Sequence, residues 1–242
     1  MTALIESWLF DLQPSALELA KLMLLLSPDE RLRFEQIRHL RDKVRFASRR
    51  ARLRQVIASC LNVSATELVF EQGEFGKPTV RGGGDFSFNC SSSGDVGLCV
   101  VGRSVDMGCD IEVRDSSKAS IEIADRFFAP SERASLARLP ADQWLEGFFN
   151  CWTRKEALLK CLGCGLSGPM DAYVVSLAPG MPAAVLSHQE FTMASFRPLP
   201  EIHAAVVVRS TDSVSIVPRS WNDHAHPRMM RPAARAPAML RA

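Results

Sequence analysis

Two short stretches of this chain put three carboxylates and two lysines where they could meet around one cation and one phosphate. In the first, Met107, Cys109, Ile111 and Val113 alternate with Gly108, Asp110 and Glu112. That is the period of a half-buried strand, so Asp110 and Glu112 project from one face. The second reads Trp152-Thr153-Arg154-Lys155-Glu156-Ala157-Leu158-Leu159-Lys160 and lies in a run of apolar residues at helical spacing. Glu156 and Lys160 are then one turn apart. Two carboxylates on a strand and a third on a helix suit magnesium, a hard cation that takes oxygen ligands and shares its shell with water and substrate phosphate. A lysine beside the third carboxylate would balance phosphate charge. Taken singly, each feature also has an ordinary explanation: alternating carboxylates describe a solvated strand face, and Glu with Lys at i, i+4 describes a surface pair.

The elements that must carry these groups can be read from the same patterns. The helix of Glu156 is expected from about Ala141 to Leu162, with Asp142 capping its start and Gly163 or Gly165 its end. Upstream, helical patterns run from about Ser15 to Leu26 and from about Pro28 to Leu61, followed by strand-like runs at Phe86 to Phe88 and Val96 to Val101. Downstream of the strand around Asp110 come a helix from about Lys118 to Phe128, the long helix, and strands near Tyr173 to Leu177, His203 to Val208 and Val214 to Val217. Strands and helices without regular βαβ alternation point to an α+β class.

Together the two stretches resemble the paired signatures of the Sfp-type 4′-phosphopantetheinyl transferases, (V/I)G(I/V)D(I/V)E and WxxKExxxK with a glycine-rich exit, here Cys161 to Pro169. The resemblance continues upstream. Asp42-Lys43-Val44-Arg45-Phe46 with Arg50-Ala51-Arg52-Leu53-Arg54 looks like the family's basic helix, Gly73 to Pro78 like its GKP turn, and Phe88-Asn89-Cys90-Ser91-Ser92-Ser93 like its FNxSHS segment. These motifs cover about residues 31 to 170. One departure is Ser92, which stands where the family usually has a histidine that helps hold the 3′-phosphate of coenzyme A. A serine can donate one hydrogen bond but supplies no imidazolium charge.

The resemblance implies two similar α+β subdomains joined as a pseudo-dimer, with the active site in the cleft between them. A join near Gly102 to Asp106 would give residues 1–104 as the coenzyme-binding part and 105–217 as the part bearing metal and catalytic carboxylates. It also implies a magnesium-dependent transfer of 4′-phosphopantetheine from coenzyme A to a serine of an apo acyl or peptidyl carrier protein, releasing adenosine 3′,5′-bisphosphate. In that reading Asp110, Glu112 and Glu156 hold magnesium, Glu156 is the candidate general base, and Lys160 assists the leaving group. Arg45, Arg50, Lys77, Ser91, Ser92 and Lys155 grip the coenzyme, and Arg54 approaches its phosphates. Without the resemblance Lys77 reads as a solvent-facing turn lysine. The segment Ser116 to Arg133, with Lys118, Arg126, Phe127, Phe128 and Arg133, is a candidate carrier surface; the alternative is that the two phenylalanines are core. Two other function classes stay open: a different magnesium-dependent phosphoryl-transfer enzyme, separated by carrier dependence, and a non-catalytic coenzyme A-binding protein, separated by turnover.

Composition sets the wider bounds. The chain has 242 residues, 47% hydrophobic, which is enough for a proper core, and a net charge of +2. Residues 31 to 54 hold ten arginines and lysines against Glu35 and Asp42, a basic patch. Aromatic residues are sparse there and no nucleic-acid motif accompanies it, so a nucleic-acid partner is not expected. Glu6 and Asp11 interrupt the first apolar residues and no apolar run is long enough to span a bilayer, so neither leader nor membrane contact is expected. Seven cysteines without framework spacing agree with a reducing compartment, the cytoplasm. Cys161 and Cys164 have metal-like spacing but no second pair, and read as core or loop cysteines. An internally duplicated chain has no need to dimerise, so a monomer is expected. Residues 218–242, with four prolines, five arginines and little periodicity, read as a disordered tail.

Overall fold

The computed structural model describes residues 2–73, 76–165, 168, 170–210 and 213–220. In chain order its elements are β1 (Ala3–Asp11), α1 (Ala16–Met23), α2 (Pro28–Gln36), α3 (Leu40–Leu61), β2 (Phe70–Gln72), β3 (Pro78–Val80), β4 (Phe86–Ser93), β5 (Val96–Arg103), β6 (Asp106–Val113), α4 (Ile121–Phe127), α5 (Pro130–Ala137), α6 (Ala141–Leu162), β7 (Phe191–Phe196), β8 (Ile202–Arg209) and β9 (Val214–Ser220). Helices and strands are mixed without a βαβ repeat, and the fold is α+β. No helix among the described residues is long and apolar enough to cross a membrane.

Two sheets position the candidate carboxylates. The first has the order β4-β5-β1-β9 and the second β6-β8-β7. Alternation along the strands sorts their side chains into three cores. Phe10, Cys99 and Val101 of the first sheet turn towards Leu53, Val56 and Ile57 of α3. Ile5, Leu98 and Val100 turn the other way and meet Met107, Cys109 and Ile111 of β6 with Val206 of β8. On the far face of the second sheet, Ala205 and Val207 pack against Phe148, Phe149 and Ala157 of α6. The result is four layers: helix, sheet, sheet, helix. The odd residues of β6 are consumed by the inter-sheet core, which leaves Gly108, Asp110 and Glu112 on the side of α6.

Some elements differ from the pattern reading, each for a local reason. The run from Pro28 to Leu61 is two helices, because Ile37 and His39 take extended backbone. A continuous helix would hold Glu30 and Arg50 about 30 Å apart at 1.5 Å per residue; instead Arg50 Nε donates to Glu30 Oε1 at 2.6 Å. Asp142 does not cap α6, whose N-cap is Pro140; it lies in the first turn, where its charge suits the helix dipole. Gly163 closes the helix in the left-handed conformation, φ 75°. Tyr173 to Leu177 form no strand beyond a single bridge from Val175 to Val185, since the Val175 N–H and the Tyr173 carbonyl are taken by Glu132 and Lys155. The strand near Val214 continues to Ser220 and pairs in parallel with β1. Residues 218–220 are therefore part of the first sheet and not of a tail, and residues 221–242 lie outside those described.

Helix α6 crosses β6 at its one residue without a side chain. A Cβ on Gly108 would lie 2.1 Å from the Ala157 carbonyl oxygen and 2.3 Å from the Cys161 nitrogen, and both neighbours are backbone. Gly108→Ala is accordingly expected to cost about 3 kcal/mol, as overpacked cores do. Urea denaturation measures it; a loss under about 0.5 kcal/mol would mean that α6 yields freely.

Candidate active site

Strands β4 and β6 lie edge to edge at the boundary between the sheets, and every second residue of β4 reaches across. Asn89 Oδ1 accepts from the Cys109 N–H at 3.0 Å, Ser91 Oγ donates to Asp110 Oδ1 at 2.7 Å, and Ser93 Oγ donates to Glu112 Oε2 at 2.7 Å. From the other side Lys160 of α6 donates to the same Asp110 oxygen at 2.6 Å and to Ser91 Oγ at 3.0 Å. Asp110 is only 2% exposed, and its second oxygen, Oδ2, is buried without a hydrogen-bond partner. Burying a carboxylate oxygen unpaired costs energy that folding must recover elsewhere.

The electrostatics follow from this crowding. Burial pushes the Glu156 carboxyl up to about 7, and the charges of Asp110 and Glu112 add to the effect against Lys160. Burial likewise raises Glu112, with Asp110 contributing in the same direction. Asp110 is raised by burial even though Lys160 and Ser91 oppose it. The Lys160 ammonium is disfavoured by burial, yet the carboxylate of Asp110 more than compensates and holds its pKa above the ordinary value. Three mutually repelling carboxylates thus face one lysine.

This donor set fits magnesium: every donor is a hard oxygen, the charge is in excess, and Asp110 Oδ2 has no partner. Among the described residues no three acidic, histidine or cysteine side chains are gathered into a preformed metal cage. The fit is therefore one of donor type and charge.

On the other face of β4, towards α3, lies a cleft of about 440 Å³ lined by Arg33, Arg45, Arg49, Ser92 and Gly94, among others. Strand alternation separates Ser91 from Ser92: the first faces Asp110, and the second accepts from Arg49 Nη1 at 3.2 Å. Arg45 lines the cleft while donating to Asp95 at 2.7 Å. Arg33 and Arg49 were not singled out by the sequence reading. Arg49 could have been found as the i+4 neighbour of Arg45 on the same helical face.

Several of the other basic residues singled out by the sequence have partners within the protein. Arg50 and Arg54, also one turn apart, face elsewhere: both pair with Glu30, at 2.6 and 2.7 Å, and lie over the Phe70 ring. Arg54 is 2% exposed and also donates to the Ala65 and Leu68 carbonyls. These guanidiniums hold Glu30 below its usual pKa in spite of its burial. Lys77 donates to the carbonyls of Met107 and Cys161 at 3.1 and 3.4 Å, which fastens the start of β6 to the end of α6. Lys155 is buried against Glu132, away from the carboxylate cluster. Glu74 and Phe75 of the GKP turn, and Leu166, Ser167 and Pro169 of the glycine-rich exit, lie outside the described residues. In the Ser116 to Arg133 segment Phe128 is core, whereas Phe127 is half-buried, edge-on to Trp152 and covered by Arg126. Cys161 is buried and Cys164 half-buried, both as free thiols.

The two arginine faces should separate in stability. Arg54→Met strands part of a buried carboxylate and is expected to cost about 3–5 kcal/mol, whereas Arg49→Met on the cleft wall should cost under about 1 kcal/mol. Urea melts of the two variants check this, and equal losses would contradict the division.

Residues 106–207 match the model of the 4′-phosphopantetheinyl transferase superfamily. The 4′-phosphopantetheinyl transferase HetI of Nostoc is 30% identical over 209 residues, 84% of this chain and 87% of its own. The 4′-phosphopantetheinyl transferase Sfp of Bacillus subtilis is 32% identical over 157 residues, 65% of this chain and 69% of its own. A Synechocystis relative is 34% identical over 152 residues, 62% of each chain. With its paired signatures brought together on β6 and α6, the chain belongs to the Sfp-type 4′-phosphopantetheinyl transferase family.

Proposed function

We propose that this protein transfers 4′-phosphopantetheine from coenzyme A to a serine hydroxyl of an apo acyl or peptidyl carrier protein. The observation that carries the reading is Asp110, hydrogen-bonded by Lys160 and Ser91 and electrostatically coupled to Glu156, with an arginine-lined cleft on the other face of β4. Residues 1–104 would supply most of the coenzyme contacts and 105–217 the catalytic groups, with β9 completing the first sheet. Arg49, Arg45 and Arg33, with Ser92, are the groups for the nucleotide phosphates; in this chain the guanidinium of Arg49 supplies a charge that Ser92 does not.

Asp110, Glu112 and Glu156 would hold magnesium, which when bound offsets negative charge on the pyrophosphate. Glu156, directly or through one water, would accept the proton of the carrier serine. The serine oxygen forms a bond to the β-phosphorus, and the bond from that phosphorus to the bridging oxygen breaks. Adenosine 3′,5′-bisphosphate leaves with the electron pair. Lys160, already aligned by Asp110 and Ser91, neutralises charge on the transferring phosphate, the kind of preorganised electrostatic help that needs no rearrangement during reaction. The Phe127 and Arg126 side of α4 is the candidate carrier surface.

Asp110→Ala removes one ligand and the oxygen that aligns Lys160. Turnover should fall at least about a thousandfold, the scale of losing a major electrostatic element, while circular dichroism stays native. Near-normal magnesium-dependent turnover in that variant would sink the assignment. Release of the bisphosphate without any carrier would instead favour a different phosphoryl-transfer enzyme.

A further inference from the structure

We infer that Glu132, acting through Lys155, is a positioning residue that sets the rotation of α6 and thereby aims Glu156 at the site; this rests on the catalytic reading above. Glu132 and Lys155 are each 1% exposed and form an ion pair at 2.7 Å. Lys155 Nζ also donates to the carbonyls of Met170 at 2.7 Å and Tyr173 at 2.6 Å, so all three of its N–H donors are used. Glu132 Oε2 also accepts from the Ala129 N–H and Oε1 from the Val175 N–H, both at 2.7 Å. One buried pair therefore joins the start of α5, the middle of α6 and the segment 170–175.

The pair is adjacent in sequence to the carboxylate it serves. Lys155 and Glu156 are separated by about 100° around the helix axis, so the direction of one fixes the direction of the other. Helix α6 is also held by apolar packing, by the close contact at Gly108 and by hydrogen bonds from Asn150 to the Leu177 carbonyl, from Arg154 to Ser176 and from Lys160 to Asp110; the Glu132–Lys155 network adds three further donors and three further acceptors at the residue next to Glu156. A buried ion pair adds little net stability, because desolvation offsets the attraction. Its directional demand is the contribution that apolar packing would not supply. Asp110 and Glu112 disfavour the charge on Glu156, and the Glu132–Lys155 network holds α6 from a face about 100° away from that carboxylate. A displacement of one ångström at a catalytic carboxylate can cost about a hundredfold.

The test uses Glu132→Gln, which keeps the size of the side chain and an acceptor for the Val175 N–H but removes the charge. Lys155→Arg is the conservative companion, retaining charge and several donors. For Glu132→Gln, kcat should fall at least about tenfold while KM for coenzyme A stays within about twofold, and Lys155→Arg should retain more of kcat than Lys155→Met. A crystal structure of Glu132→Gln should show the Glu156 carboxylate displaced relative to Asp110. Unchanged kcat with a lowered melting temperature would overturn the inference in favour of a purely structural role. A rise in KM for coenzyme A at constant kcat would overturn it too, by making Lys155 a phosphate ligand. Should the wild-type protein transfer nothing to any carrier, the catalytic reading fails by itself, and the crystal structure still decides positioning: an unmoved Glu156 contradicts it.

Discussion

The close approach of α6 to β6 at Gly108 is the constraint on which the candidate site depends. With no side chain at that position, the backbone of Ala157 to Cys161 lies directly on the strand, and Lys160 reaches Asp110 at 2.6 Å. The price of this contact is a carboxylate taken almost wholly out of water. A desolvated carboxylate costs several kcal/mol before compensation, and Lys160 and Ser91 satisfy only one of its two oxygens. Local stability is given up to keep an excess of negative charge in a sheltered place, which is the condition for capturing a cation and a phosphate together.

The rest of the fold can be understood as bracing for that crowded contact. Lys77 ties the strand to the last turn of the helix through two carbonyls, and the alternate residues Asn89, Ser91 and Ser93 stitch β4 to β6. The inter-sheet core uses the opposite face of β6, so the same strand contributes apolar residues to stability and polar ones to the site. The Glu132–Lys155 pair ties the helix to the start of α5 and to the segment 170–175.

Legibility in the sequence followed periodicity. The strand of Asp110 and the helix from Ala141 to Leu162 were readable because each alternates or repeats over many residues, and the α+β class followed from their order. The pairing of Asp110, Glu156 and Lys160 was readable through the resemblance of the two signatures and not from spacing alone. The roles of the basic residues were not readable in this way. Arg45, Arg49, Arg50 and Arg54 share one helix, and which of them meets the cleft depends on Glu30, which lies on a different helix. Likewise the partner of Lys155 is Glu132, and the partners of Lys77 are backbone carbonyls that no residue pattern advertises. Strand β1 escaped because Glu6 and Asp11 break its apolar run, although β5 and β9 flank it. Tyr173 to Leu177 read as a strand until side chains claimed its backbone groups.

Intact-protein mass spectrometry of apo carrier proteins incubated with this protein, coenzyme A and magnesium, with and without a chelator, bears most directly on the central claim. The account predicts a carrier mass increased by one phosphopantetheine on a serine, abolished by the chelator. A carrier that gains no mass while the protein demonstrably binds coenzyme A, or a gain that persists in full with the chelator, would contradict it.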